Sequence, residues 1–283
     1  MTAFALEGCL GIETRSTALT RDDPRTTLVV WFPGRRALRS VTRLAEARLA
    51  AAGVPPAIKP RIARVDDGHW VESWQKSLRP MPIGRRILAL PEGCAAPPGT
   101  RRIVIHIPFG QAFGTGEHAS TRLCLRLIER HLNAGDRVVD LGAGTAILSV
   151  AAARLGAGPV LAVDNDPVAL RVARDTLSRN RLAERIELRR DDASGGLKGR
   201  VADLALVNIG ATVIERLLPD LAAALAPGGG AVLAGILIDD EKRLAARAAG
   251  LGLRVVDRLR QRPWSALLVR RPRPLTKSGP RRA

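Results

Sequence analysis

Apolar positions along the chain follow two periods. From about Thr121 onward, short apolar runs alternate with segments whose apolar residues return every three or four positions. "TRLCLRLIERHL", "AILSVAAARLG", "PVALRVARDTLSRN", "TVIERLLPDLAAALA" and "DDEKRLAARAAG" read as helices. "RVVDL", "PVLAVD", "RIELRR", "ADLALVN", "AVLAGIL", "LRVVDRLR" and "SALLVRR" read as strands. Strands that alternate with helices of about 10–15 residues predict βαβ units and a parallel sheet covered on both faces. The last two strands are separated by only a few residues. They are expected to pair antiparallel, since a parallel pair needs a long crossover.

The first hundred residues follow a different plan. "TTLVVWF" (Thr26 to Phe32) reads as a strand. "RRALRSVTRLAEARLAAAG" reads as a helix with Leu38, Val41, Leu44, Ala45 and Leu49 on one face, ended by Gly53 and Pro55-Pro56. "IARV" is a further strand candidate. Trp70, Trp74 and Leu78 share one face of a short predicted helix, and packing between two domains accounts for the tryptophans better than substrate contact does. "RRILALP" and "RRIVIHIP" are then strand candidates. The expected division is a small α+β domain over 1–66, a bridging segment over 67–100, a main α/β domain over 101–270 and a basic tail over 271–283.

Composition narrows the class. Hydrophobic residues make up 46% of the 283, enough for a proper core. No apolar run of about 18 residues is present, and the N-terminus lacks a basic leader, so a cytoplasmic protein is expected. Cys9, Cys94 and Cys124 are odd in number and far apart. They suit reduced thiols better than a disulfide frame or a metal site. The formal net charge is +18. Residues 1–100 and 101–269 each carry a net +6, whereas the last fourteen carry six basic residues and no acid. The densely basic part is therefore the tail, expected to be disordered. Compositional bias toward arginine and an anionic partner such as a ribosomal particle stand as equal readings of the excess.

In a sheet of this kind ligands bind beyond the carboxyl ends of the strands. Four such ends carry chemistry. In "VVDLGAGTAI" the strand closes on Asp140, and Gly142 and Gly144 form the turn into a helix, where glycine lets a ligand approach the backbone closely. The third glycine of a dinucleotide fingerprint is replaced by Ala146. In "VLAVDND" Asp164 lies 22 residues after Gly142, the place of a carboxylate that accepts both ribose hydroxyls of an adenosine. The competing role for Asp164 is to cap the next helix, which Asp166 fits better, directly before Pro167. In "DLALVNIGAT" Asn208 is either a helix cap or a site residue. As a site residue, its amide oxygen and the Ile209 carbonyl accept hydrogen bonds from an amine and aim its lone pair. In "DDASGG", Asp191 or Asp192 could meet an adenine amino group, or form a solvated loop. Ahead of these, "PFGQAFGTGEHAST" (Pro108 to Thr121) is a second glycine-rich stretch.

Together these residues resemble the class I S-adenosylmethionine-dependent methyltransferases, and more narrowly the PrmA-type family, the ribosomal protein L-eleven methyltransferases. The likeness runs through "WVESWQKSLRPMPIGRRILALP", "FGTGEHAST", "VVDLGAGTAILSVAAARLGA", "AVDNDPVAL" and "NIGA", in that order. It implies a Rossmann-like, mostly parallel sheet with an antiparallel last strand, and a small N-terminal α+β domain that recognises a protein substrate. It implies S-adenosyl-L-methionine held by Thr121, Gly142, Gly144, Asp164 and Asn208, with Phe113 and Gly114 in a loop closing over it. Transfer would go to an amine, a lysine side chain or an N-terminal α-amine, oriented by Asn208 and the Ile209 carbonyl. The chain departs from the family pattern at Glu117 for threonine, Ala119 for proline, Ser120 for threonine, Ala146 for glycine and Gly210 for leucine. Glu117 is the departure that bears on chemistry: it adds a carboxylate that could attract a cationic lysine or act as a base, beside His118. Rival expectations are methylation of another protein lysine or of a small amine, a dehydrogenase, and a non-catalytic ribosome- or RNA-binding module acting through the basic tail.

Overall fold

The computed structural model describes residues 11–18, 24–31, 79–108 and 112–273, the first two segments by their backbone. The chain divides into two units, 1–73 and 74–283. In the first, β1 (Gly11–Ala18) pairs antiparallel with β2 (Pro24–Trp31), with Gly11 opposite Trp31 and Ala18 opposite Pro24. The strand expected over Thr26 to Phe32 is β2. The helix expected over 35–53, the "IARV" strand, the Trp70 and Trp74 segment and the tail beyond Arg273 lie outside the described residues.

In the second unit, β3 (Met81–Ile83), β4 (Ile87–Pro91) and β5 (Ile103–Ile107) form a three-stranded sheet, β3–β4 antiparallel and β4–β5 parallel. The chain then runs through α1 (Ala119–His131), β6 (Val138–Leu141), α2 (Ile147–Arg154), β7 (Val160–Asp164), α3 (Pro167–Arg179) and β8 (Ile186–Arg190). It continues through α4 (Ala193–Leu197), β9 (Ala202–Asn208), α5 (Ala211–Ala224), β10 (Leu225–Leu237), α6 (Glu241–Gly250), β11 (Arg254–Gln261) and β12 (Trp264–Arg270). The seven strands from β6 on order as β11-β12-β10-β9-β6-β7-β8. The five from β10 to β8 are parallel, and β12 runs antiparallel to both β10 and β11. This is the expected mostly parallel sheet with its antiparallel end.

Strand side chains alternate between faces, and the core divides accordingly. Val138, Leu204, Leu206, Val232 and Ala234 pack with α1, α2, α3 and the three-stranded sheet. Val139, Leu141, Ala205, Val207, Ala231 and Leu233 pack with α5 and α6 on the other face. A strand buried on both faces has no polar position to spare, so the strands read as continuous apolar runs. Asp140 in β6 and Ser265 in β12, both fully buried, are the exceptions.

Two elements differ from their expected extent. β10 starts at Leu225 rather than Ala231, with a register shift against β9 between Leu225 and Gly230. Gly228 at φ 83° carries the chain through this irregular start, so the turn-like "PGGG" is absorbed into the strand. The "DDASGG" loop contains the five-residue α4, capped by Asp192, whose side chain accepts from Gly195 N–H at 2.7 Å.

Candidate active site

The carboxyl ends of β6, β7 and β9 and the start of α1 bring most of the expected residues together. Thr121 lies in the first turn of α1 and is fully buried. Asn208 ends β9, 87 residues further on, and its Nδ2 donates to Thr121 Oγ1 at 3.3 Å. Asn208 Oδ1 is buried without a hydrogen-bond partner. A buried amide oxygen left unmatched is disfavoured by about 1–3 kcal/mol, so this atom is a place for an incoming donor. The cap of α5 is Gly210, which frees Asn208 from the alternative role in that helix.

The glycines are fixed by how closely their neighbours approach. Gly142 has φ 72°, and a Cβ there would meet Ile209 Cγ2 at 2.7 Å. A Cβ on Gly235, in β10, would lie 2.6 Å from the Ile209 carbonyl oxygen and 3.2 Å from Asn208 Oδ1. The Asn208–Ile209 corner is thus held between two glycines, one on each side. Gly235 carries no motif and lies inside an apolar strand, so only the packing reveals it.

The two glycine-rich stretches interlock. Thr145 N–H donates to the Phe113 carbonyl at 3.0 Å, and Thr145 Oγ1 donates to the Gly114 carbonyl at 2.7 Å. A Cβ on Gly144 would sit 2.3 Å from the Phe113 carbonyl oxygen, and one on Gly114 would sit 2.7 Å from Thr145 Oγ1. Gly144 and Gly114 therefore serve the contact between the loops. The Phe113 ring is about half exposed and meets His118 edge-on at 5.1 Å, and His118 in turn meets Trp264 at 4.5 Å. His118 is the N-cap of α1, and its ring nitrogen accepts from Ser120 N–H at 3.3 Å. Burial, and then the Arg122 charge, push its pKa down, so it stays neutral at pH 7.

Asp164 is placed at the end of β7 as expected, but both its oxygens already accept backbone bonds. Oδ2 takes Gly144 N–H at 2.9 Å, and Oδ1 takes Asp166 N–H at 3.0 Å. Each oxygen keeps a second lone pair for an outside donor, so the carboxylate can tie the glycine turn and a ligand at once. The cap of α3 is Asp166, which accepts from Val168 N–H at 2.8 Å. Asp192 is taken up by the α4 cap, and Asp191 Oδ1 accepts from Asp192 N–H at 2.9 Å. Glu117 is exposed on the first loop, its carboxylate 3.5 Å from Thr115 Oγ1, and its carbonyl accepts from Arg122. Its carboxylate makes no bond to Thr121 or Asn208.

Asp140, in the sequence only the close of a strand, is fully buried in the fold. Its Oδ2 accepts from Ser149 N–H at 3.1 Å and from Ser149 Oγ at 2.6 Å, while Oδ1 is buried without a partner. Burial pushes its pKa up to about 7 against the opposing Ser149 bonds, with the Asp164 charge adding to the rise. Cys124, fully buried on α1, has its thiol pKa raised by burial and by Asp140.

The family model described as "Ribosomal protein L11 methyltransferase (PrmA)" matches residues 14–272. The chain is 40% identical over 208 residues to the ribosomal protein L11 methyltransferase of Pelotomaculum thermopropionicum, covering 73% of this chain and 67% of that protein. It is 36% identical over 276 residues to the protein of that name from Parasynechococcus marenigrum, covering 93% and 94%. Among solved structures, the ribosomal protein L11 methylase from Lactobacillus delbrueckii subsp. bulgaricus superposes with a TM-score of 0.64 at 26% identity, covering 69% of this chain and 100% of that one.

Proposed function

The chain belongs to the ribosomal protein L11 methyltransferase (PrmA) family, and from that premise we propose that it transfers methyl groups from S-adenosyl-L-methionine to amines of ribosomal protein L11, lysine side chains or the N-terminal α-amine. The residues at the strand ends fit such a donor. Gly142, tight against Ile209, leaves the backbone bare at the end of β6. Asp164 keeps a lone pair on each oxygen for ribose hydroxyls. Thr121 and Asn208 stand at the same edge, already tied to each other. When bound, the cofactor supplies an electrophilic methyl carbon on a sulfonium.

What remains for the protein is alignment, exclusion of water and a neutral amine. A lysine amine with an ordinary pKa near 10.4 is protonated at pH 7. Desolvation against the half-buried Asn208–Ile209 corner lowers that value and favours the neutral form. An amine N–H donated to Asn208 Oδ1, and a second to the Ile209 carbonyl, turn the nitrogen lone pair toward the methyl. Thr121 holds the Asn208 amide so that its oxygen faces the acceptor. No general base is assigned: His118 is occupied as a helix cap and neutral. Glu117, exposed on the first loop, attracts the protonated lysine on approach.

The observation that carries this reading is the buried, unmatched Asn208 Oδ1 beside Thr121. Asn208→Ala is expected to lower methyl transfer on the order of 10²-fold, with cofactor still bound in calorimetry. A variant that turns over like wild type would remove Asn208 from the mechanism.

A further inference from the structure

The edge of the large sheet away from Asn208 carries a second cluster of functional groups. There α2 ends at Arg154, α3 ends at Arg179, and the chain turns through 180–185 before entering β8. Arg154, Arg179, Arg181 and Arg185, with His106 and Asn180, line a cleft of ≈ 570 Å³. Asn180 is its fixed wall. Its buried side chain accepts from His106 N–H at 3.0 Å and donates to the His106 carbonyl at 2.7 Å and the Thr176 carbonyl at 2.8 Å. It thereby clamps β5 to the end of α3.

The four arginines are not equivalent. Arg179 is neutralised by Glu92 at 2.9 Å and Asp175 at 3.0 Å. Arg154 donates to the Asn180 carbonyl at 2.8 Å and has no carboxylate partner among the described residues. Arg181 and Arg185 have none either. Helix dipoles favour cations at helix C-termini, and that accounts for Arg154 and Arg179. It favours a cation at Arg181 as well, one residue past the cap, but does not account for a side chain on the backbone found there. The end of α3 is closed by Leu182 N–H on the Leu177 carbonyl and Arg181 N–H on the Ser178 carbonyl, each at 2.9 Å. In that motif the residue at the position of Arg181 is left-handed and is glycine by preference. Arg181 has φ 54°. A side chain is kept where the backbone disfavours one, and it gains no carboxylate partner within the described chain. Strain of this kind, held at a residue of distinct chemistry, points to use.

The geometry points to this cleft as a binding site for the phosphates of an RNA backbone, contacted by Arg154, Arg181 and Arg185. Guanidinium groups match phosphate oxygens bidentately. His106 is the only ring in the lining, so the cleft offers phosphate contacts with little base stacking, the pattern that positions a backbone and ignores sequence. The choice of RNA rests on the proposed function in one respect: a ribosomal protein substrate brings RNA near the enzyme. The cleft itself does not depend on methyl transfer.

The test is binding of a short fluorescein-labelled RNA hairpin to the full chain, without substrate or cofactor, followed by anisotropy between about 50 and 200 mM salt. Arg181→Gly with Arg185→Ser is expected to weaken binding tenfold or more. The slope of log K against log salt should fall by about 0.7–0.9 for each phosphate contact removed. Arg181→Gly relieves the left-handed strain, so the melting temperature should hold or rise, and methyl transfer to free substrate should not change. Equal affinity and equal salt slope in the variant would overturn the proposal. So would loss of binding on deleting residues 274–283 while the double variant binds as wild type. Displacement of the hairpin by a mononucleotide at equal phosphate concentration would also overturn it, because the site would then take free nucleotides.

Discussion

Asn208 and the two glycines around it form the smallest unit that can be tested. Gly142→Ala places a Cβ 2.7 Å from Ile209 Cγ2 on a left-handed backbone, and Ile209 must move. Cofactor affinity is expected to fall about tenfold or more, equivalent to about 1.4 kcal/mol, as read by calorimetry. Unchanged affinity would detach this corner from cofactor binding. Asp140 gives a prediction in pH. Its pKa is raised to about 7 in the folded protein, against about 3.9 when unfolded. The native state therefore keeps a proton that the unfolded chain releases. Stability from this group is full below about pH 4 and is lost as pH rises to about 7. Asp140→Asn keeps an acceptor for Ser149 and removes that loss. The melting temperature of the variant relative to wild type should climb between about pH 4 and 7 and then level off. A difference independent of pH would refute the assignment. At this scale the positions of Asp164, Asn208 and Thr121 are legible, because each sits at a strand end or helix start that its motif marks. The state of Asp140 is not. It depends on burial by α2, whose Ser149 lies nine residues away in sequence, and is known only once the chain is folded. Gly235 was hidden for the same reason.

At the scale of elements, short segments are fastened by single side chains. The β3–β4 turn is held by Glu129 on α1, whose carboxylate accepts from Arg85 N–H at 2.9 and 3.0 Å and from Arg86 N–H at 3.0 Å. A Cβ on Gly84 would lie 1.9 Å from that carboxylate. The turn is exposed, so water replaces much of what Glu129→Ala removes. A loss of about 1 kcal/mol is expected, roughly 2–4 °C in melting temperature. An unchanged melting temperature would show that the clamp contributes nothing. The start of α2 offers the opposite sign. Ala146, where the family pattern has glycine, is left-handed at φ 61° and fully buried. Ala146→Gly relieves about 1–2 kcal/mol of strain and adds about 0.5–1 kcal/mol of unfolded-chain entropy. The variant should be as stable as wild type or more stable by about 1 kcal/mol, checked by denaturant unfolding. A clear loss of stability would contradict the strain. Helix periodicity located α1, α2, α3, α5 and α6, because each buries one or more faces on a sheet. It missed α4, whose five residues include two glycines and which forms because Asp192 caps it. It also missed the early start of β10, since a Pro-Gly-Gly-Gly run reads locally as a turn.

At the scale of the molecule, the alternation of strands and helices determines the parallel sheet, and the short last connection determines its antiparallel end. The strand order and the pairing of β3, β4 and β5 beside α1 come from long-range contacts that no local pattern encodes. Among the described residues no helix is long and apolar enough to cross a membrane. Of the two glycine-rich stretches, the turn after β6 is of a common kind and "FGTGEHAST" is the distinctive one. Folded, they lock through Thr145 and put Thr121 against Asn208. The claim that joins these scales is that this edge moves a methyl group onto an amine of ribosomal protein L11. The most direct measurement is incubation of the purified chain with isotopically labelled S-adenosylmethionine and ribosomal proteins, followed by peptide mapping. The account predicts label on lysine side chains or the N-terminal amine of L11, and its loss in Asn208→Ala. Label confined to other proteins, or none on L11 while the cofactor is bound, would contradict it.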